Sequence, residues 1–363
     1  MRRANIVPAL VGLLLAAIIG GVVGGVIVRE AWSSPNRNPA ATGTASGKTA
    51  AACRAASVAD RALPSVVTVQ ARDGQGGGTG SGVVIRSGGY VLTNNHVISV
   101  AAGGGTVSIL RSDGETTDAT IVGRDPLTDL AVLKAKDTSH LPVIELGESG
   151  ALQVGEPVVA LGSPLGLTST VTTGIVSALD RYVRVPAEGG GAAHLVGAIQ
   201  TDASINPGNS GGALVDCHAR LIGINTAGAT VPSSGGGGGS GGSIGLGFSI
   251  PVDLAKAIAD ELIAQGRVTR PSFGMQLQPV SQELARATGG SVGLFVEAVT
   301  AGGPAEKAGL RPGDLIVEVD GEPATSVDAL IVKTLTMQAG DVVHLKYERN
   351  RVSHTAALRL AAG

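Results

Sequence analysis

The chain of 363 residues has few aromatics, little charge and almost no cysteine. Phe, Tyr and Trp together make up 2% of it. Charged residues make up 15%, against about 25% in an average globular protein. The net charge of −2 gives no electrostatic footprint for nucleic acid. Two cysteines are too few for a disulfide-rich mini-scaffold or a four-cysteine zinc site. Glycine is abundant, at 56 residues, about twice its usual share. The apolar content of 43% is ample for a packed core, and the length suits two to three domains. Composition therefore excludes a disordered chain, a coiled coil and a polytopic membrane protein.

Ile6 to Val28 is an uncharged run of 23 residues. As a helix it would span roughly 34 Å, enough for a hydrocarbon core of ~30 Å. Arg2 and Arg3 precede it and predict a cytoplasmic N-terminus over residues 1–5. The run is longer than a typical signal-peptide core, and Val28-Arg29-Glu30 is not a small-residue cleavage site. The expectation is a transmembrane signal anchor over 6–28, with a cleaved signal peptide as the alternative. Either way everything after Arg29 is exported. Residues 29–56, rich in Ser, Pro, Asn, Ala, Gly and Thr between Ser33 and Ala52, read as a flexible tether.

Residues 57–250 show short β-branched runs separated by turn residues: Ser65–Gln70, Ser81–Arg86, Tyr90–Thr93, Thr106–Leu110, Ala119–Gly123, Leu130–Lys134, Pro157–Leu161, Val171–Ala178, His194–Gln200, Gly212–Val215, Leu221–Thr226 and Ile244–Ile250. Strands at this spacing indicate an all-β sandwich or barrel, not βαβ units, and they suit two six-stranded barrels. The glycine-rich stretches Gly74–Gly80 and Ser233–Gly242 read as loops.

Three residues in this region have complementary chemistry. His96 follows a strand in Leu92-Thr93-Asn94-Asn95-His96-Val97, Asp129 opens the apolar run to Leu133, and Ser210 lies in Asn206-Pro207-Gly208-Asn209-Ser210-Gly211-Gly212. A serine hydroxyl needs a base to take its proton, and the base needs an acceptor that fixes its tautomer. His, Asp and Ser occur in the chain order of chymotrypsin-type enzymes. Glycines around Ser210 let the Gly208-Asn209-Ser210 backbone turn tightly, so that the amides of Gly208 and Ser210 would form an oxyanion hole. Asp125 and Asp202 compete with Asp129, but read as a turn residue and a backbone acceptor. Gly208, Ser210 and Gly212 also fit the nucleophile elbow of an α/β-hydrolase, with Asp314 and His344 or His354 completing it. That elbow demands a helix after the serine, where this chain reads as strands.

The segments Thr93–Ile98, Thr128–Leu133, Leu161–Gly166, Val171–Ser177 and Thr201–Leu214 closely resemble the HtrA/Deg family of trypsin-like serine proteases, and the likeness runs from about Ala62 to the C-terminus. The resemblance implies a mainly β chain with a chymotrypsin-like double β-barrel. In it His96 is the general base, Asp129 its orienter and Ser210 the nucleophile. It implies cleavage of unfolded or misfolded exported polypeptides without ATP, with no cofactor and no metal. An Asp six residues before the nucleophile would select Arg or Lys. Here Ser204 stands there, beside Ile205, and Ile224, Asn225 and Thr226 form the other expected wall, so small or medium aliphatic side chains are expected. Ser233–Gly242 falls where the family has an activation loop.

Val252, Ala255, Ile258, Ala259 and Leu262 recur at helical spacing in a linker expected over 251–269. From Arg270 to Gly363 the motifs resemble one PDZ domain of the HtrA type. Ser272-Phe273-Gly274-Met275 resembles its carboxylate-binding loop, Val327–Gln338 its groove helix, and Val342–Glu348 and His354–Leu360 its closing strands. Such a domain takes C-terminal peptides along a sheet edge. The resemblance also implies a homotrimer, although no Phe, Trp or Tyr lies between Ser33 and Gly89 to build its usual contact. The turn Asp216–Arg220 has Ala219 where the family usually has Gly. An exported pair of cysteines favours a Cys53–Cys217 disulfide; a buried free thiol at Cys217, and a lipidated or intermolecular Cys53, are the alternatives.

Overall fold

The computed structural model describes residues 53–74, 76–163, 169–188, 191–226 and 243–363. The expected membrane segment 6–28, most of the tether, the Ser233–Gly242 loop and Pro164–Gly166 lie outside the described residues. Among the described residues no helix is long and apolar enough to cross a membrane.

The first helix, α1 (Ala55–Ala62), starts inside the stretch expected as tether. Its alanine content favours helix, and Val58, Ala59 and Ala62 are buried. Six strands follow: β1 (Val66–Arg72), β2 (Gly77–Arg86), β3 (Tyr90–Thr93), β4 (Thr106–Leu110), β5 (Thr116–Asp125) and β6 (Leu130–Ala135), with a single-turn helix α2 (Asn95–Ile98) after β3. They close into a barrel in the order β1-β2-β3-β6-β5-β4. A second closed barrel, in the order β10-β11-β12-β9-β8-β7, is built from β7 (Pro157–Gly162), β8 (Thr170–Pro186), β9 (Ala192–Thr201), β10 (Ala213–Val215), β11 (Leu221–Thr226) and β12 (Gly247–Pro251).

Strands β6 and β7 are apolar on both faces because each face meets a different core. Ala131 and Leu133 of β6 fill the first barrel with Val69, Val91 and Ile109. Leu130 and Val132 point the other way, into a core that also takes Val159, Leu161 and Ile224 from the second barrel. In β7 the same period-2 alternation sends Val158 and Ala160 inward with Leu214 and Ile222, and Val159 and Leu161 to the shared core.

The reading of Gly74–Gly80 as a loop is corrected. Gly77–Gly80 belong to β2 and pair with β1 from Arg72 to Val69. Glycine is there because the next layer is close: a Cβ at Gly78 would meet the Val97 carbonyl at 2.6 Å, and one at Gly80 the Val97 side chain at 2.6 Å. β8 also runs on well past Ala178. Its exposed end carries Asp180, Arg181 and Arg184 and shifts register repeatedly against β9, which erases the alternation that marks a strand.

Helix α3 (Val252–Gln265) lays Val252, Ala255, Ile258, Ala259 and Leu262 on the shared core. It ends at Gly266, whose φ of 73° allows its N–H to reach the Leu262 carbonyl. The C-terminal domain follows with β13 (Pro271–Ser272), β14 (Met275–Val280), α4 (Gln282–Thr288), β15 (Gly293–Val299), α5 (Pro304–Lys307), β16 (Leu315–Val319), β17 (Glu322–Pro323), α6 (Asp328–Thr336), β18 (Val342–Arg349), β19 (Val352–Arg359) and β20 (Ala361–Ala362). Its sheet runs β14-β15-β16-β18-β19, so β14 is an edge strand, while β13 pairs with β20. Leu294, Val296, Ile316, Val343 and Leu358 pack against Leu330 of α6 and Leu310.

Candidate active site

His96 sits in α2, at the end of the first barrel's β3. Asp129 sits in the turn between β5 and β6 and has a φ of 57°, a left-handed conformation that costs energy in a non-glycine residue. The surroundings hold it there. Its carbonyl accepts from Asn95 N at 3.1 Å and from Asn94 Nδ2 at 2.9 Å. Its carboxylate accepts from His96 N at 2.9 Å, lies 2.8 Å from His96 Nδ1 and accepts from Thr226 Oγ1 at 3.2 Å. The carboxylate is almost wholly buried, while the imidazole is partly open to solvent. A carboxylate in this position can accept from an Nδ1–H and so orient the ring.

Ser210 is buried in a loop that the second barrel supplies. Asn209 N donates to Asn206 O and Gly212 N to Asn209 O, both at 2.9 Å. Gly211 N donates to Asn225 O at 2.8 Å, and Asn225 N to Gly212 O at 2.9 Å. Gly208 and Gly211 have φ of 98° and 83°. Among the described residues neither the Gly208 nor the Ser210 amide donates a hydrogen bond, and none joins Ser210 Oγ to His96. A bond of the latter kind commonly tightens only in the Michaelis complex.

The competing acids are committed elsewhere. Asp125 is buried and pairs with Arg270 and the Thr128 hydroxyl. Asp202 Oδ1 accepts from Ile175 N at 2.8 Å. The α/β-hydrolase alternative fails on the fold: the strand β10 follows Ser210, Asp314 is bound to Arg349, and His344 and His354 are exposed in strands of the C-terminal domain. The buried His194 is not part of the cluster either. Its Nδ1 meets the Tyr182 hydroxyl at 2.6 Å, and burial pushes its pKa below the ordinary 6.5.

Of the residues expected to line a specificity pocket, all but Ser204 are buried. Ile224 belongs to the shared core and Ile205 to the second barrel's core. Asn225 is wholly buried: its Nδ2 donates to Leu161 O and Ala213 O, and its Oδ1 accepts from Ser249 Oγ. Thr226 serves the Asp129 carboxylate. These alternating positions fall inward because β11 is buried on both faces. Ser204 stays half-buried, its carbonyl accepting from Thr172 Oγ1 at 2.9 Å. Ala227 lies outside the described residues.

In the C-terminal domain Ser272–Met275 joins β13 to the edge strand β14. Gly274 has a φ of 67°, and a Cβ there would meet Pro304 at 2.7 Å. The carbonyls of Phe273 and Gly274 are taken by Ala305 N and Thr300 N, and Gly274 N donates to Ser272 Oγ at 3.1 Å. Cys53 and Cys217 are joined as a disulfide, with Cα atoms 5.1 Å apart, behind the nucleophile loop. Among the described residues no group of His, Cys, Asp and Glu is placed to hold a metal ion.

Two closed antiparallel barrels, one carrying a His–Asp pair and the other a glycine-framed serine loop that packs on Ser81 of the first, define a trypsin-like peptidase fold followed by a PDZ domain. Residues 80–224 match the trypsin-like peptidase domain family and residues 271–360 the PDZ domain family. The HtrA-type protease AlgW solved with a decapeptide is 34% identical, with a TM-score of 0.63 over 85% of this chain and 99% of that one. Serine protease PepD of Mycobacterium tuberculosis is 43% identical over 297 residues, 80% of this chain and 62% of that protein. The periplasmic pH-dependent serine endoprotease DegQ of Escherichia coli is 42% identical over 276 residues, 75% of this chain and 57% of that protein. The chain thus spans less than two thirds of the length of these curated relatives. It belongs to the HtrA-type protease family.

Proposed function

We propose that the protein is an extracytoplasmic serine endopeptidase that cleaves unfolded or misfolded exported polypeptides without ATP, held to the membrane by Ile6–Val28. The observation that carries this reading is the 2.8 Å contact of His96 Nδ1 with the buried Asp129 carboxylate, in a chain whose Gly208 and Ser210 amides donate no hydrogen bond among the described residues. In this reading Asp129 fixes the imidazole, and Nε2 takes the proton from Ser210 Oγ as that oxygen attacks the scissile carbonyl. The amides of Gly208 and Ser210 receive the oxyanion, each worth roughly 10²–10³ in kcat. His96 then protonates the leaving amine, and water repeats the sequence in reverse to release the acyl group. With Ser204 and no acid before the nucleophile, small or medium aliphatic residues fit best before the scissile bond. The edge strand β14 is suited to adding a substrate C-terminus as a further strand. A homotrimer rests on family likeness alone.

The test is digestion of β-casein by the purified full-length chain without nucleotide. The wild type is expected to degrade it and Ser210→Ala to leave it intact. Equal digestion by both would overturn the serine mechanism. No digestion by the wild type, with aggregation of an unfolded client still suppressed, would point to a peptide-binding chaperone.

A further inference from the structure

Ser81 of β2 is polar and wholly buried, flanked by Gly80 and Gly82 just before the apolar run Val83–Ile85. Each of its polar groups is used. Its backbone N–H donates to Ser210 O at 2.8 Å. Its hydroxyl donates to Gly208 O at 2.6 Å and accepts from Ser163 N at 2.8 Å. Its carbonyl accepts from Thr93 Oγ1 at 2.6 Å, three residues before His96. One residue of the first barrel therefore holds the nucleophile's carbonyl, the carbonyl of the first oxyanion-hole residue, and the strand that leads into the histidine. The approach is so close that a Cβ on Gly211 would meet Ser81 O at 2.2 Å and Thr93 Oγ1 at 2.4 Å.

The N–H of Gly208 lies in the peptide plane shared with Pro207 and its carbonyl in the plane shared with Asn209, so the dihedral angles of Gly208 set one against the other. Its φ of 98° is open to glycine but is not the only conformation glycine can adopt. Rotation of this segment would carry a carbonyl toward the position the two amides now serve. The Ser81 hydroxyl is a side-chain donor on the Gly208 carbonyl, anchored in a different barrel and fixed from behind by Ser163 N. We infer that Ser81 is a positioning residue: its hydroxyl holds the Gly208 carbonyl away from the oxyanion hole and so keeps the Gly208 and Ser210 amides aimed at one point. The inference rests on the serine-protease reading and adds to it a residue that touches neither substrate nor the reacting atoms.

The experiment uses the full-length chain, a fluorescence-quenched peptide drawn from casein, and a peptide boronate with an aliphatic residue at the boron-bearing carbon. In the boronate adduct a bond forms from Ser210 Oγ to boron, the hydroxyl proton passes to His96 Nε2, and the tetrahedral boron places an oxygen in the oxyanion hole. Ser81→Ala is expected to lower kcat by about tenfold to a hundredfold, less than loss of a direct oxyanion donor. KM should stay within about twofold, and boronate affinity should fall in proportion to kcat. The acid limb of the pH–rate profile should not move, because His96 and Asp129 are untouched. Ser81→Cys keeps the volume with a weaker donor, so it covers the case in which Ser81→Ala folds poorly, and its kcat should fall between the two. Wild-type kcat in either variant, or an acid limb displaced along with kcat, would overturn the role. Ser210→Ala run in parallel separates the two readings. If it is inactive while Ser81→Ala is unimpaired, only the Ser81 inference fails; if it cleaves normally, the serine-protease reading fails first.

Discussion

Arg270 grips Asp125 with both terminal nitrogens, Nη1 lying 2.9 Å from Oδ1 and Nη2 against Oδ2. Asp125 is buried and stands four residues before Asp129, so the first residue of the C-terminal domain braces the turn that presents the site carboxylate. Asp125 and Asp129 should therefore fail in different ways. Asp125→Asn breaks a buried ion pair and should lower stability by roughly 1–3 kcal/mol, read as a lower melting temperature, with peptide cleavage largely kept. Asp129→Asn should leave the melting temperature nearly unchanged and lower kcat by about 10⁴-fold, as for another triad enzyme. The opposite pattern would exchange the two assignments.

The same pair refines where the C-terminal domain can be removed. Every group assigned to the chemistry lies before Gly212, so a chain ending after Arg270 should still hydrolyse a short peptide while handling protein substrates poorly. Ending one residue earlier removes the Asp125 partner and should lower the melting temperature further. A well-folded truncation with no peptidase activity would contradict this division of labour.

The strands were legible because their signal is local. Tyr90–Thr93, Thr106–Leu110 and Leu221–Thr226 have the expected limits, since turn residues bound each of these β-branched runs. Barrel closure was not legible, being a matter of register between distant strands. Helix α1 was missed because three small apolar residues among alanines mark a buried face only once the shared core exists to receive them. At the site, residue type and chain order identified His96, Asp129 and Ser210 as candidates. The hydrogen bond of Thr226 to the Asp129 carboxylate was not legible, because β11 offers no alternation to say which way a residue points. Ser81 was not legible, since Thr79 two residues earlier also stands between glycines and the role of Ser81 depends on carbonyls more than a hundred residues away.

The Cys53–Cys217 link closes a span of 164 residues, tying α1 to the turn between β10 and β11. That turn needs support, because Ala219 holds a φ of 63°, a left-handed conformation that costs energy in a non-glycine residue, and Arg61 Nη2 also reaches its His218 carbonyl. Cys53→Ser or Cys217→Ser should lower stability by about 2–4 kcal/mol, and a dithiol reductant should lower the wild-type melting temperature to match either variant. Mass spectrometry of the unreduced protein should recover the two cysteine peptides joined. Variants as stable as the wild type under oxidising conditions would show that the packing of Val58, Ala59 and Ala62 alone holds α1.

A last prediction concerns acid. Arg111 is buried and ion-paired to Asp113, Glu115 and Asp137, which ties the β4–β5 hairpin to the chain leaving β6. The Ser139 hydroxyl and Ser139 N–H, 2.6 and 2.9 Å from Asp137 Oδ1, together with Arg111, hold the Asp137 pKa down at about 2, from an ordinary 3.8. A folded-state pKa below the unfolded one means that folding favours the ionised form. The contribution is therefore fully present above about pH 4 and is lost as the pH falls from there toward about 2. Asp137→Asn keeps the shape and removes the charge, so its melting temperature should lie below that of the wild type at pH 7. The gap should narrow steadily between pH 4 and pH 2 as the wild-type carboxylate takes up its proton. Thermal unfolding of both proteins across that range is the measurement, and a gap that stays constant with pH would show that Asp137 does not hold the ionised form preferentially in the folded chain.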